Sequence, residues 1–347
     1  MQRAVLFAIL IAISFVAVAG TCSKELAASW PVVSNNVGFQ QVTVPDPKGK
    51  PLQVAIWYPS TAPVSLQPLG LFQQTVAMKG ALTGNRLPLV LISHGTSGSL
   101  ASHYDTALEL ARAGFVVAAV THAGDNSQDQ SYVGNRLDLN DRPRQIKCVL
   151  DYLLGAWQEH NRLDPARIGI FGFSLGGFTA LVAIGGTPDL QRIPQFCSEK
   201  PEAPECRFIR EHHGDQLDEV PTSEPTWIHD ARIKAAVVAA PAVSFTFASG
   251  GLSHVKVPVQ LWRAEEDRES PNQWNSDIVR DALPTPQDVH TVRGAGHFAF
   301  LAPCSEALAK AVPKICQDAP GFDRGAFHVE FDRSVATFFS TKLGAYR

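Results

Sequence analysis

The sequence feature that most constrains the fold is the pentapeptide Gly172-Phe173-Ser174-Leu175-Gly176. Residues 167–171 before it have the pattern of a buried strand, and residues 177–184 after it have the pattern of a packed helix. Strand, Gly-x-Ser-x-Gly and helix in this order are typical of a sharp turn that exposes the serine hydroxyl. Such a turn needs neighbours without side chains, because a Cβ atom on Gly172 or Gly176 would collide with the adjacent strand or helix. The pattern predicts that Ser174 is a nucleophile and that the N-terminus of the helix, with the N–H of Leu175, lies beside it.

Strand-like and helix-like segments alternate along the rest of the chain, which is typical of an α/β fold with a mostly parallel sheet and helices on both faces. We predict an eight-stranded sheet that opens with an antiparallel pair, 40–44 and 52–58. Residues 60–86 are rich in Pro, Gly, Thr and Gln, and we expect them to be irregular. The other predicted strands are 88–93, 115–121, 168–171, 233–240, 257–262 and 288–292, and the long predicted helices are 102–113, 138–160 and 324–343.

Residues 186–231 interrupt this alternation with many prolines and charged residues and with one pair of cysteines. An insertion after the nucleophile helix suits a lid-like segment over the carboxyl ends of the strands, where α/β enzymes bind ligands. A surface loop without a role in substrate binding fits the same composition. In both cases we expect a single domain over residues 38–347 that contains the insertion.

The N-terminus has the pattern of an export signal. Arg3 precedes a long apolar stretch, and Ala17-Val18-Ala19 supplies a small-x-small cleavage site, which predicts a signal peptide over residues 1–19 and an extension over 20–37. Cys22 leaves a lipid-anchored form open, and the apolar stretch is nearly long enough for an uncleaved anchor. All three alternatives export the body of the protein, in which we expect no membrane span.

Cysteine usage agrees with export, because the six cysteines include two closely spaced pairs. We predict disulfides between Cys197 and Cys206 and between Cys304 and Cys316. Cys148 lies in a predicted amphipathic helix, and we expect it to be a buried free thiol. The spacings match no zinc site, so we expect no metal ion, and nothing in the sequence implies an organic cofactor.

The net charge and its distribution indicate which kind of partner the protein binds. The formal net charge is -3, and the charged residues form no long runs of one sign. This argues against a nucleic-acid or anionic-membrane partner and favours a small-molecule substrate.

A serine hydroxyl needs a base within hydrogen-bond reach and a third group that orients the base. In this topology the partners follow in the order serine, acid, histidine. Of the eleven histidines, His297 alone lies in the loop directly after the last predicted strand. The acid is expected after strand 257–262, where residues 265–267 are all acidic. Asp267 precedes a turn that ends in proline and is our first choice, with Glu266 as the alternative.

A second oxyanion donor is expected in the loop after strand 88–93, which begins Ser93-His94-Gly95. We predict that the N–H groups of Thr96 and Leu175 together stabilise a developing oxyanion. Six other histidines are predicted to be structural or surface residues: His94, His122, His212, His213, His229 and His254.

These residues resemble the α/β-hydrolase superfamily, and within it the dienelactone-hydrolase-like proteins related to platelet-activating-factor acetylhydrolases. The likeness covers roughly residues 38–341. It is carried by Ser93-His94-Gly95, Thr121-His122-Ala123-Gly124-Asp125-Asn126, Arg142-Pro143, Val149-Leu150-Asp151, the serine pentapeptide and Gly296-His297-Phe298. The resemblance implies Ser174 as nucleophile, Asp267 as acid, His297 as base and Thr96 as the first oxyanion donor.

The chain departs from the family pattern at two points. True dienelactone hydrolases use a cysteine nucleophile, and Ser174 at that position favours a simple carboxylic ester as substrate. Some acetylhydrolase relatives carry the acid after the preceding strand, but here that strand ends in Ala239-Ala240-Pro241-Ala242 without a carboxylate. Together with the predicted export signal, the resemblance implies an exported serine hydrolase that cleaves carboxylic esters. Amide, peptide or thioester substrates and a non-catalytic binding role are the alternatives.

Overall fold

The structure is a computed structural model, and it describes residues 36–213, 226–248, 250–284 and 287–344. The predicted signal peptide, Cys22 and most of the predicted extension lie outside these ranges. The first strand begins at Asn36, slightly before the expected start of the domain.

The described residues form ten strands, most of them where the sequence predicts strands. They are β1 (Asn36–Val44), β2 (Leu52–Ser60), β3 (Ser65–Leu69), β4 (Phe72–Met78), β5 (Leu87–Ser93), β6 (Val116–Thr121), β7 (Leu163–Phe173), β8 (Ile233–Ala239), β9 (Val259–Ala264) and β10 (Asp288–Val292). All ten join one sheet in the order β10-β9-β8-β7-β5-β6-β2-β1-β4-β3. The six strands from β10 to β6 run parallel, and β1 and β2 form the expected antiparallel pair.

The predicted α/β class is confirmed, but the predicted count of eight strands is wrong. The error lies in residues 60–86, which form the antiparallel hairpin of β3 and β4 instead of an irregular segment. Gly70 takes a φ of +59° in the turn of this hairpin. Along β4 the side chains of Phe72, Gln74 and Val76 alternate inward, so the segment has a strand period that its polar composition concealed.

Helices cover both faces of the sheet. Four helices pack on the faces of the sheet: α1 (Tyr104–Arg112), α2 (Arg136–Gly155), α3 (Leu175–Ala183) and α9 (Arg324–Leu343). The others are α4 (Arg192–Glu199), α5 (Pro204–His213), α6 (Ser276–Ala282), α7 (Glu306–Ala311) and α8 (Pro313–Cys316). Helices α1 and α9 pack on one face, and α2 and α3 pack on the other. Alternation along β5 shows the division, because Leu89 and Leu91 join the core under α2 and α3 while Val90 and Ile92 join the core under α1 and α9. Among the described residues, no helix combines the length and the apolar character that crossing a bilayer requires.

Both predicted disulfides are present, Cys197–Cys206 and Cys304–Cys316. The prediction of a buried thiol at Cys148 is wrong, since this free cysteine is only partly buried on α2. In the insertion, Phe196 of α4 stacks on Phe245 with ring centroids 3.9 Å apart and also contacts Trp274. The described part of the insertion thus packs on the loops that follow β8 and β9, at the carboxyl edge of the sheet.

The hairpin of β3 and β4 is fixed to the main sheet by a buried hydrogen bond. Trp57 Nε1 on β2 donates to Gln74 Oε1 at 2.8 Å, and both side chains are buried. We expect Gln74→Ala to lower the free energy of unfolding by about 1–3 kcal/mol, because the indole N–H loses its partner. Gln73→Ala at the exposed neighbouring position is the control and should change stability by less than about 0.5 kcal/mol. Urea unfolding measures both, and equal effects of the two variants would contradict this account.

Candidate active site

Ser174 lies in the turn between β7 and α3 with an unusual backbone conformation. Its φ is 54° and its ψ is -119°, a region that residues with a side chain rarely adopt. Backbone hydrogen bonds hold it there: its N–H donates to the carbonyl of Ala239 at 2.9 Å, and its carbonyl accepts from Gly177 and Ala242. The strain is therefore balanced by contacts with the end of β8 and the first turn of α3, and the hydroxyl is held at the tip of the turn.

The two glycines of the pentapeptide are required by close backbone approaches. A Cβ on Gly172 would lie 2.0 Å from the carbonyl oxygen of Gly176, and a Cβ on Gly176 would lie 2.0 Å from the carbonyl oxygen of Ser93. Helix α3 thus starts in direct backbone contact with the ends of β7 and β5. This agrees with the collision with strand and helix that the sequence predicts.

The structure brings Ser174, His297 and Asp267 into one hydrogen-bonded row. His297 Nε2 lies 2.9 Å from Ser174 Oγ, and His297 Nδ1 lies 2.8 Å from Asp267 Oδ2. Each of the three residues is less than a tenth exposed. Ser174 follows β7, Asp267 follows β9 and His297 follows β10. The carboxyl ends of these parallel strands lie at one edge of the sheet. A hydroxyl, an imidazole and a carboxylate in this order can pass a proton from the serine to the histidine.

The loop after β9 shows why Asp267, and not Glu266, reaches the histidine. Asp267 Oδ1 accepts the backbone N–H groups of Ser270 at 2.7 Å and Glu269 at 3.1 Å, which leaves Oδ2 for His297. The side chain of Glu266 points to solvent, 52% exposed, with its carboxylate 3.9 Å from Arg268. Of the two candidate acids, only Asp267 contacts the imidazole.

The surroundings of His297 favour its charged form. Burial alone lowers the pKa of this imidazole, but the negative charge and hydrogen bond of Asp267, with smaller contributions from Glu269 and Glu205, outweigh burial and raise the pKa above its ordinary value. The ring also packs against Phe173, with centroids 4.9 Å apart. The site therefore stabilises an imidazolium, the species that forms when the imidazole accepts a proton.

Glu205 is a site residue that the sequence analysis missed. It lies on α5 of the insertion and is 7% exposed, and its Oε1 accepts from Asn275 Nδ2 at 2.6 Å. Burial raises the pKa of the Glu205 carboxyl, and the nearby charge of Asp267 acts in the same direction. Nothing in the charged stretch around Cys206 distinguishes this glutamate from its solvated neighbours. Only the folded insertion brings it near His297.

The predicted oxyanion donors lie on two segments that meet at Ser174. Leu175 is the first residue of α3, so its N–H has no acceptor within the helix. Thr96 lies in a turn closed by a hydrogen bond from Gly98 N–H to Gly95 carbonyl. A Cβ added to Gly95 would lie 3.1 Å from Ser174 Cβ, so this turn packs directly against the serine.

His94 and His122 form hydrogen bonds next to the turn at Gly95–Gly98, which agrees with the predicted structural role. The His122 N–H donates to His94 Nε2 at 3.0 Å, and His122 Nε2 lies 2.9 Å from Ser93 Oγ. Burial and the charge of Arg142 lower the pKa of His94 to about 3 and hold the pKa of His122 well below its ordinary value. Both rings are therefore neutral and serve as hydrogen-bond partners.

Away from the serine, Asp105, His328 and Asp332 each offer one ligand atom within 4.8 Å of the others, an arrangement that could hold a cation. These atoms also have partners in the protein, because His328 Nδ1 lies 2.7 Å from Asp105 Oδ2 and Thr106 Oγ1 donates to Asp332 at 2.6 Å. His328 Nε2 bonds the carbonyl of Ala299, two residues after His297. This cluster therefore braces the loop that carries His297.

Comparison with known proteins gives partial matches in sequence. The family model described as platelet-activating factor acetylhydrolase, isoform II, matches residues 69–149. Platelet-activating factor acetylhydrolase of Cavia porcellus is 27% identical, over 28% of this chain and 32% of the relative. Bis(hydroxyethyl) terephthalate hydrolase of Streptomyces coelicolor is 33% identical, over 21% of this chain and 26% of the relative. The matched region thus spans about a third of the acetylhydrolase and about a quarter of the terephthalate hydrolase.

Solved structures match over nearly the whole chain. Ferulic acid esterase from Streptomyces cinnamoneus has a TM-score of 0.62 at 18% identity and covers 91% of this chain and 92% of its own. A puromycin-hydrolysing peptidase of Mycobacterium tuberculosis has a TM-score of 0.53 at 18% identity, over 92% of this chain and 41% of its own. At this identity the likeness concerns the fold alone. The chain has an α/β-hydrolase-type fold, as the resemblance of its motifs implies.

The close approach of Gly176 to Ser93 makes a prediction about stability. We expect Gly176→Ala to lower the free energy of unfolding by about 1–3 kcal/mol or more, because the added methyl meets a backbone oxygen that cannot move without displacing β5. Gly155→Ala at the end of α2 is the matched control, since a Cβ there has no heavy atom within 4 Å. Urea midpoints of both variants check this. A Gly176→Ala protein as stable as the control would show that α3 does not start in contact with β5.

Proposed function

We propose that this chain is an exported serine esterase, which hydrolyses carboxylic esters through an acyl-enzyme formed on Ser174. The observation that carries this proposal is the row of contacts from Asp267 through His297 to Ser174, with the serine held at a strained turn before α3. A non-catalytic role would give no reason to maintain a strained backbone and a charge-stabilised imidazole at the same point.

In the first half of the reaction His297 Nε2 accepts the proton of Ser174 Oγ as that oxygen attacks the ester carbonyl. Asp267 holds Nδ1–H and stabilises the imidazolium that results. The N–H groups of Thr96 and Leu175 donate to the carbonyl oxygen, which becomes an oxyanion. When the tetrahedral intermediate collapses, the bond to the alcohol oxygen breaks, and the imidazolium gives its proton to the departing alcohol.

In the second half a water molecule replaces the alcohol. His297 takes a proton from this water as its oxygen attacks the acyl carbonyl, and the same two N–H groups stabilise the second oxyanion. Collapse breaks the bond to Ser174 Oγ, which recovers its proton from His297. The products are a carboxylic acid and the free enzyme, and every proton is passed among Ser174, His297 and the reactants.

The named activities of the relatives support an ester as the substrate, since they include an acetylhydrolase, a bis(hydroxyethyl) terephthalate hydrolase and a ferulic acid esterase. The matches in sequence cover only part of each relative, so this chain's own acyl and alcohol groups follow from its own pocket. We propose that the insertion at about 186–231 acts as a lid-like wall of that pocket. Its contacts with Phe245 and Trp274, and the approach of Glu205 to His297, support this.

We propose that residues 1–19 are a signal peptide and that the folded domain acts outside the cytoplasm. The two disulfides support this, because such bonds persist in oxidising compartments.

We expect Ser174→Ala to abolish hydrolysis of a short p-nitrophenyl ester while the protein stays folded, because the acyl group then has no oxygen to which it can be transferred. Loss of the equivalent serine has cost on the order of a million-fold in a protease precedent. Ser253→Ala at an exposed serine is the control and should keep full activity. Retention of more than about a hundredth of the activity in Ser174→Ala would count against the proposal, and matched ester and amide substrates separate esterase from amidase activity.

The environment of His297 predicts the pH dependence. The imidazole must be neutral to accept the serine proton, and its raised pKa means that kcat/KM should fall on the acid side with an apparent pKa above the ordinary 6.5. Asp267→Asn should move this acid limb to lower pH and reduce kcat by about 10⁴-fold.

Glu266→Gln, at the exposed neighbouring acid, is the control and should alter neither the acid limb nor kcat. Rate profiles from pH 4 to 9 test these expectations. If Glu266→Gln behaved as Asp267→Asn is expected to behave, the choice of acid would be wrong.

A further inference from the structure

Arg142 is a fully buried arginine in the middle of α2, and the reaction described above does not use it. A guanidinium can be buried only if its donors are paired, because an unpaired charge in the interior is strongly unfavourable. The partners of Arg142 lie in three separate parts of the chain, and two of these parts flank Ser174.

One side of the guanidinium holds the loop after β5. Arg142 Nη2 donates to the carbonyl of His94, and Arg142 Nη1 donates to the carboxylate of Asp125. The other oxygen of that carboxylate accepts the N–H of Ser97 at 2.6 Å. The residues before and after the Gly95-Thr96 pair are thus both tied to Arg142, one directly and one through Asp125.

The remaining nitrogen reaches the start of α3. Arg142 Nε donates to Thr179 Oγ1 at 3.2 Å, and the Thr179 hydroxyl donates to the carbonyl of Leu175 at 2.9 Å. Thr179 is one turn along α3 from Leu175. The same guanidinium therefore contacts both segments that carry the proposed oxyanion donors.

The surrounding groups leave Arg142 and Asp125 as a neutral pair. Burial and the charge of Asp125 raise the pKa of Asp138 well above its ordinary value, which favours the uncharged form of this second carboxyl group. His94 and His122 are neutral as well, because burial lowers both pKa values. Since the pair is neutral as a whole, its influence on Ser174 is exerted through backbone positions and not through a net charge.

We propose that Arg142 is a positioning residue that sets the distance between the two oxyanion donors, the N–H groups of Thr96 and Leu175. This inference rests on the proposed function, because it assigns Arg142 a part in the same ester hydrolysis. Asp125 links the guanidinium to the loop after β5, and Thr179 links it to the first turn of α3.

The proposal predicts a change in kcat without a change in KM, which a purely structural role does not predict. Donors that have moved stabilise the tetrahedral intermediate less, but they hardly change binding of the planar ester, so kcat falls while KM stays nearly constant. Loss of one donor costs about 10²- to 10³-fold in kcat, and we expect a displaced pair to cost about 10- to 100-fold.

The experiment compares Arg142→Lys, Thr179→Val and Thr179→Ser in the full chain. Thr179→Val keeps the side-chain shape but removes the link to Leu175, and Thr179→Ser restores a hydroxyl. Arg144→Lys is the matched control, because Arg144 lies two positions along the same helix and bonds Asp46 and Asp141 instead. The measurements are kcat and KM on a p-nitrophenyl ester, normalised to folded protein by circular dichroism, and the Ki of a trifluoromethyl ketone, which forms a tetrahedral adduct on a serine.

We expect kcat to fall about 10- to 100-fold in Arg142→Lys and Thr179→Val, with KM within threefold of wild type and Ki raised in parallel with the loss of kcat. Thr179→Ser and Arg144→Lys should stay within threefold of wild type. Should Arg142→Lys fail to fold, Thr179→Val decides the question alone. An active wild-type enzyme with unchanged kcat and Ki in Thr179→Val would overturn the role of Arg142, whereas an inactive wild type would overturn the proposed function itself.

Discussion

The backbone contact between Gly176 and the carbonyl of Ser93 is the constraint on which the site depends. It brings the first turn of α3 against the end of β5, closer than any residue with a side chain would allow. Parallel pairing sets Ser93 beside Gly172, so the two central strands end at the same level. Ser174 passes from strand to helix with a positive φ, and its hydroxyl lies 2.9 Å from His297 Nε2 at this edge of the sheet.

Two groups of buried charged residues lie near the serine, and each is balanced locally. On one side, the carboxylate of Asp267 stabilises positive charge on His297 and is itself held by two backbone N–H groups. On the other side, Arg142 and Asp125 form an ion pair with neutral histidines around it. The first arrangement favours the protonated form of the imidazole. The second holds its charges in place and fixes the backbone next to the serine.

Local patterns predicted the elements that carry their own signal. The strands around residues 88–93 and 168–171 are apolar runs, and the pentapeptide around Ser174 has a backbone requirement that only glycine meets. The choice of Asp267 over Glu266 depended on turn chemistry, and the structure brings Asp267 to His297. The hairpin of β3 and β4 was missed because a composition rich in Gln, Thr and Pro concealed a period of two.

Other features could not be read from a local pattern at all. Glu205 and Arg142 belong to segments that look solvated or ordinarily helical, and each becomes informative only through contacts with residues 17 to 70 positions away. His297 was chosen because it follows a predicted strand. The hydrogen bond from His328 to the carbonyl of Ala299, which supports its loop, joins positions 29 residues apart and has no local sequence pattern. Contacts of this kind depend on the completed sheet and not on neighbours along the chain.

That support from α9 has a consequence for the order in which the site is completed. Among the described strands, β10 lies at the edge of the sheet beside β9. The loop after it is held by backbone bonds such as that from the Glu266 N–H to the carbonyl of Ala295, and by the bond between His328 and the carbonyl of Ala299. Ser174, Asp267 and His297 all precede α9 in the chain. A partly folded chain can therefore pair all of its described strands and still lack the helix that supports the loop of His297. The position of this imidazole is complete only when α9 has packed on the sheet.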